Sequence, residues 1–291
     1  MGLKRAILGL AALAWAAVVF GAWIAVDQGL AEPALSFGDV PGGSTGGMAG
    51  AMVIALAGLA VIGYGRRRVE SSEWKQVGNA AGLRPTGDGS PPALTGTVDG
   101  RTVRARLEHR TVSKGPEGGS RRLPYTVVEA ALDGPAEDGL VGGPADGEID
   151  ADIGTLRFET MLEHANLAED LVAVEEQGLV LVGTSGTAVE TLATGTMGDA
   201  LRSDDQLNLL SVGDGARVVS SFAEARNAEM EGVGSSFAEY PVENLVEEVP
   251  GDAGTATVET HAHLQDGDAL RGQAAATVAI ADVFEEATSA E

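Results

Sequence analysis

The chain contains no cysteine, only three lysines and four histidines, and 4% aromatic residues. Without thiols it has no disulfide, no thiolate nucleophile, no iron–sulfur cluster and no cysteine-ligated zinc, although a cysteine-free chain fits any redox compartment. There is no phosphate-loop lysine and no dinucleotide glycine spacing. Nor does a fixed-period repeat appear. Four histidines leave little material for a Ser-His-Asp arrangement.

Acid is present in excess. Aspartate and glutamate total 43 against 19 lysines and arginines, for a net charge of -24. The distribution is uneven: residues 66–122 carry 12 cations and 6 acids, whereas residues 123–291 carry 5 and 34. So much negative charge, with so few aromatics, disfavours nucleic acid as a partner. Scattered acids and scarce lysine read as adaptation to molar salt, where a Debye length of about 3 Å screens self-repulsion. Arg101, Arg104, Arg106, Arg110, Arg121 and Arg122 are expected to pair with acids elsewhere in the domain. Attraction to anionic lipid is the alternative.

Two uncharged runs lie near the start. Ala6–Val26 has the length of a spanning helix, and Val40–Gly65, with its apolar heart at Met48–Tyr64, reads as a second span. Trp23 and Tyr64 suit the headgroup layer. Lys4 and Arg5 before the first run and Arg66, Arg67 and Arg68 after the second predict that both termini are cytoplasmic, with Asp27, Glu32 and Asp39 in the outer loop. Cleavage after Gly29-Leu30-Ala31 is disfavoured, because a signal peptide's apolar core is shorter, about 7–15 residues. Small residues at four-residue spacing, Ala17, Gly21 and Ala25 in one helix and Gly46 and Gly50 in the other, permit close helix contact and homo-oligomerisation.

The remainder supports an ample core. Trp74, Val77 and Ala81 predict an exit helix over 70–82, followed by a Gly/Pro linker to about Pro92. Leu94–Val98 and Thr102–Leu107 flank Asp99-Gly100, a favoured hairpin turn, and Tyr125–Leu132 supplies a third strand. Asp133–Asp150, made largely of glycine, proline and acid, reads as a surface loop or a boundary. Leu171–Val174 and Leu179–Val182 form another hairpin. A capping box at Thr187 and Glu190 opens a helix to Leu201. Gly213-Asp214-Gly215 is expected to turn a hairpin between Leu209–Val212 and Ala216–Ser220. Thr255–Leu264 alternates as a strand, and a final helix over 268–286 aligns Leu270, Ala274, Val278, Ala281 and Phe284. These signals predict an α+β architecture: a two-helix transmembrane hairpin, then a mostly antiparallel sheet with helices packed on one face.

Chemical signals are weak. His261-Ala-His263 would point two imidazoles to one side of a strand, and His164 with Glu163 would have to complete a metal site. Gly183-Thr-Ser-Gly186 precedes a helix start, where phosphate can bind, but a helix cap explains it equally. No catalytic, cofactor-binding or metal residue is therefore assigned, and no cofactor is expected.

Two spans, a tryptophan-bearing exit helix, Leu-Thr-Gly-Thr-Val-Asp-Gly-Arg at 94–101 and Leu179-Val-Leu-Val-Gly-Thr184 together resemble uncharacterised haloarchaeal membrane proteins. The resemblance implies fold and location and no activity. The expected organisation is an anchor over 1–68, an exit helix and linker over 69–92, and an acidic cytoplasmic domain over 93–291. Its expected role is to bind or scaffold a protein at the cell membrane. A membrane-bound hydrolase or metal-dependent enzyme, or an accessory subunit of a transporter or secretion apparatus, are the alternatives.

Overall fold

The computed structural model describes Trp15 and residues 43–113, 120–150, 155–232 and 240–290. The chain divides into two units, one of Met1–Trp74 with Gly89–Pro91 and one of Lys75–Asp88 with Pro92–Glu291.

In the first unit the described backbone is mainly that of helix α1 (Gly43–Ala81) up to Trp74. Met48–Tyr64 is helical, and Val61 and Tyr64 are 71% and 68% exposed. Among the described residues no helix is long and apolar enough to cross a membrane. The first expected span, Ala6–Val26, lies outside the described residues apart from Trp15, as do its flanks Lys4 and Arg5. The exit helix expected over 70–82 is the end of α1, and its predicted apolar residues Trp74, Val77 and Ala81 are buried. Gly82 ends the helix with φ +84°, and the amide of Leu83 donates to the Gly78 carbonyl at 2.8 Å. A left-handed glycine just past the last turn is what satisfies such orphan carbonyls.

The second unit is built on nine antiparallel strands. Along the chain these are β1 (Arg84–Thr86), β2 (Ala93–Val98), β3 (Arg101–Ser113), β4 (Ser120–Ala131), β5 (Gly139–Pro144), β8 (Val172–Glu176), β9 (Leu179–Gly183), β10 (Leu207–Gly213) and β11 (Thr255–Thr260). Their order across the sheet is β1-β2-β3-β4-β11-β10-β5-β9-β8. A separate ribbon pairs β6 (Glu148–Asp150) with β7 (Thr155–Arg157). Helices α2 (Phe158–His164), α3 (Gly186–Thr194), α4 (Thr196–Ser203), α5 (Gly215–Gly232), α6 (Val242–Glu248) and α7 (Gly267–Ser289) complete the unit.

The α+β class and the antiparallel sheet agree with the sequence. The Asp99-Gly100 and Gln177-Gly178 turns both take positive φ, as two-residue hairpins require. On α7 the predicted Leu270, Ala274, Val278, Ala281 and Phe284 are all buried.

Helices cover both faces of the sheet, correcting the expected single layer. Residues directly opposite one another in register share a face. Leu210, Val258, Val128 and Ala105 mark the first face, where α7 and α3 pack: Gln273 of α7 donates toward Thr260 at 3.5 Å, and a side chain at Gly183 would meet Val189 of α3. On the second face Val141, Val180, Val182 and Leu209 join Phe158, Met161, Val218, Phe222 and Leu245 in one core beneath α2, α5 and α6. The apolar run Leu179-Val-Leu-Val, buried at every residue, serves both layers.

Three local expectations are overturned. Residues 133–150 hold β5, a central strand paired with β10 and β9. Its glycines are demanded by close approach: a Cβ at Gly142 would lie 2.5 Å from the Val180 carbonyl. Gly213-Asp214-Gly215 turns a strand into helix α5, with the Asp214 carboxylate accepting from the amide of Arg217 at 3.0 Å, so it joins no hairpin. The cap of α3 is Ser185, whose hydroxyl accepts from the Ala188 amide at 3.1 Å, and Gly195 divides the expected helix in two.

Candidate functional site

The second face changes character across the sheet. One register row reads Arg84, Thr95, Arg104, Glu129, Thr257, Ser211, Val141 and Val182, from edge strand β1 to β9. Its apolar end is under helices. Toward β1 the face is polar, and Arg84, Thr86, Thr97, Thr102 and Arg104 are exposed. With strands about 4.8 Å apart, this open part, β1 to β3, is about 10 Å wide, while Val127 of β4 and Thr257 and Glu259 of β11 are buried on the same face.

At the boundary of the open part lies a network of arginines and glutamates. β3 carries Arg104, Arg106, Glu108 and Arg110 at every second position, which strand alternation sends to this one face. Arg106 donates to Glu108 and to Glu129 of β4. Arg110 reaches past β4 to Glu259 of β11, with its two terminal nitrogens on the two carboxylate oxygens at 3.1 and 2.5 Å, and also donates to Glu108 at 3.2 Å. Asn208 donates to Glu259 at 2.6 Å. Asn208 is the extra residue of an irregularity in the β10–β11 ladder, where the register slips between Leu207 and Leu209, and such a bulge re-aims a side chain. The Arg110 guanidinium also lies 5.0 Å from the centre of the Tyr125 ring, which stacks on His261 at 4.8 Å.

Glu259 is completely buried. Burial raises its pKa above the ordinary carboxylate value, outweighing the opposing pull of Arg110. Burial also acts on Glu108, but there hydrogen bonding to Arg106 and the charges of Arg106 and Arg110 prevail, and its pKa is lowered. Arg110 is subject to desolvation, overcome by the charges of Glu259 and Glu108, so its pKa is raised. Two carboxyls on one guanidinium are thus driven in opposite directions. Such divergence can assign acid and base roles. Here, however, Glu259 has no solvent-facing surface, and Arg110 and Asn208 occupy both its oxygens. A fixed ion-pair platform beside an open sheet face is what the geometry provides.

Arg101, Arg106 and Arg110 find their acids as expected. Arg101 ties the start of β3 to α7, donating to Asp282 at 2.7 Å, to Glu285, and to the carbonyl of Ala131 at 2.9 Å. Arg104 and Arg122 are exposed, and neither has an ion pair among the described residues.

The histidine pair does not lie on a strand. β11 ends at Thr260, so alternation does not carry His261 and His263 to one side, and His261 is spent on its stack with Tyr125. His164 Nδ1 lies 3.2 Å from the Thr160 carbonyl on α2. Among the described residues no group of three His, Cys, Asp or Glu could hold a metal. In Gly183-Thr-Ser-Gly186, Thr184 donates to Asp138 at 2.8 Å and accepts from Gly139 at 3.0 Å, while Ser185 caps α3. The sequence does display one sign of the site, the alternating charges of β3. Glu259, Glu129 and Asn208 carry no such mark.

No protein-family model matches the chain, and no curated protein does. Among solved structures, the crystal structure of the mycobacterial trehalose monomycolate transport factor A is similar over 74% of this chain and 92% of its own, at 8% identity and a TM-score of 0.36. A likeness at that level carries no argument about this chain.

Proposed function

We propose that the chain is a membrane-tethered domain, two-pass with both termini cytoplasmic, that binds a protein partner across the open part of its sheet. One observation carries the binding part: a three-strand polar face, with Arg84, Thr86, Thr97, Thr102 and Arg104 exposed, is bordered by a part-buried ion-pair network. Pre-organised polar surface lowers the entropic cost of association. The tether rests on the uncharged runs Ala6–Val26 and Val40–Gly65 and their basic flanks, with the exposed Val61 and Tyr64 in support. An accessory subunit of a transporter or secretion apparatus would be one form of this role.

The hydrolase alternative draws on the diverging Glu108 and Glu259, but it gives a substrate no route to Glu259. A photo-crosslinking residue placed at Thr97 or Thr102 in native membranes tests the binding reading, with one at Glu286 of α7 as control. Protein adducts should form at the first two positions. Equal adducts at all three, or none, would reject the open face as the binding surface. Release of the full chain from membranes by alkaline carbonate would reject the tether.

A further inference from the structure

We infer that the occupant of the open face is an acidic polypeptide segment, gripped by Arg84 and Arg104. This inference rests on the binding role above and names its partner. The chain carries 43 acids and 19 lysines and arginines, so acids able to neutralise an exposed cation are plentiful. Both Arg84 and Arg104 are exposed, and neither makes an ion pair among the described residues. They occupy the same register row, on either side of Thr95. That spacing is two strands, about 10 Å.

Glu129 is Arg104's direct cross-strand neighbour, yet its carboxylate is held by Arg106. The network therefore withdraws from Arg104 the acid best placed to neutralise it. Thr95, Thr97 and Thr102 add hydroxyls to the same face between and beside the two arginines. Two guanidinium forks separated by hydroxyls match carboxylates carried on an extended backbone laid over the strands. Addition at the sheet edge is a poorer fit, because Pro85 in β1 offers no backbone donor.

Nucleic acid is a worse occupant than polypeptide: β1, β2 and β3 carry no phenylalanine, tyrosine or tryptophan on which a base could stack. Contact pairs of this kind also tolerate salt better than a long-range field does, since forked hydrogen bonds act within the Debye length.

The test uses the full chain in detergent with a fluorescent ten-residue glutamate peptide, a glutamine peptide of equal length, inorganic phosphate, and vesicles of phosphatidylglycerol. The glutamate peptide should bind and the glutamine peptide should not. The double variant Arg84→Gln/Arg104→Gln should weaken binding roughly tenfold, as expected for losing two exposed charge pairs. Arg122→Gln, an equal charge loss on the other face of β4, should leave it within about twofold. Because both arginines are exposed, unchanged melting of the double variant is expected and confirms that affinity is being read. Peptide binding insensitive to the double variant would overturn the proposal. So would phosphate or vesicles competing as well as the peptide, or a salt-dependent dimer of the chain that the double variant dissolves. If Thr97 and Thr102 still crosslink a protein while the glutamate peptide fails to bind, the binding role stands and the acidic occupant falls.

Discussion

Arg110 and Glu259 meet across an intervening strand, guanidinium fork to carboxylate, with the acid fully buried and the base still partly in solvent. Removing the arginine strands a charge that cannot reach water. Breaking such a pair from one side costs about 3 kcal/mol. Arg110→Ala is therefore expected to lower unfolding stability by that order in a urea titration. Arg110→Ala/Glu259→Leu should recover much of it, because the stranded charge is gone. Equal destabilisation in the single and double variants would show that the pair is not the cause.

The lower-pH and higher-pH sides of the carboxylate titration should respond to different glutamates. Glu108 has a lowered pKa in the fold, so it contributes stability above the unfolded value of about 4.3 and loses it as pH falls below that. Glu259 has a raised pKa, so the folded form gives up its proton at higher pH than the unfolded chain does. Its contribution is full below about pH 4.3 and is lost as pH rises through the folded value. Urea titrations across pH should show Glu108→Gln flattening the acid limb and Glu259→Gln flattening the loss on the higher-pH side. The reverse assignment would contradict the burial of Glu259.

Ser185 rather than Thr187 caps helix α3. Ser185→Ala should cost about 1 kcal/mol, the usual value for a lost N-cap, and Thr187→Ala well under half of that. Chemical denaturation of the two variants decides between the caps.

Arg101 addresses Asp282, Glu285 and the Ala131 carbonyl at once, from a side chain only 13% exposed. The Glu285 hydrogen bond and the other acid charges raise its pKa against desolvation. Arg101→Lys replaces a planar fork with a single point donor and should lose about 1–2 kcal/mol despite keeping its charge. Hydrogen exchange should then rise at the β2–β3 hairpin and the C-terminal half of α7 together. Exchange confined to one of them would argue against a clamp.

Where structure follows from local rules, the sequence displays it: Asp99-Gly100 needs positive φ, and α7 writes its buried stripe every three to four residues. β5 escaped because Gly139–Pro144 is spelled in residues that usually mark loops, and only the nearness of the Val180 carbonyl explains Gly142. The Gly213–Gly215 segment misled for a related reason, since small residues that tighten a hairpin also let Asp214 cap a helix. The ion-pair network was half visible. Alternation along β3 announces a charged face, but Arg110 and Glu259 are 149 residues apart in sequence, a pairing that no window reveals.

Strand β11 has a consequence for how this molecule is made. It lies between β4 and β10 and alone joins the block β1–β4 to the block β10, β5, β9 and β8. Until residue 260 leaves the ribosome, two half-sheets wait with raw edges at β4 and β10, each able to pair with the wrong neighbour. The keystone follows both blocks along the chain, so vulnerability to misassembly is concentrated in the interval before it arrives, and truncation short of it would yield two orphan sheets.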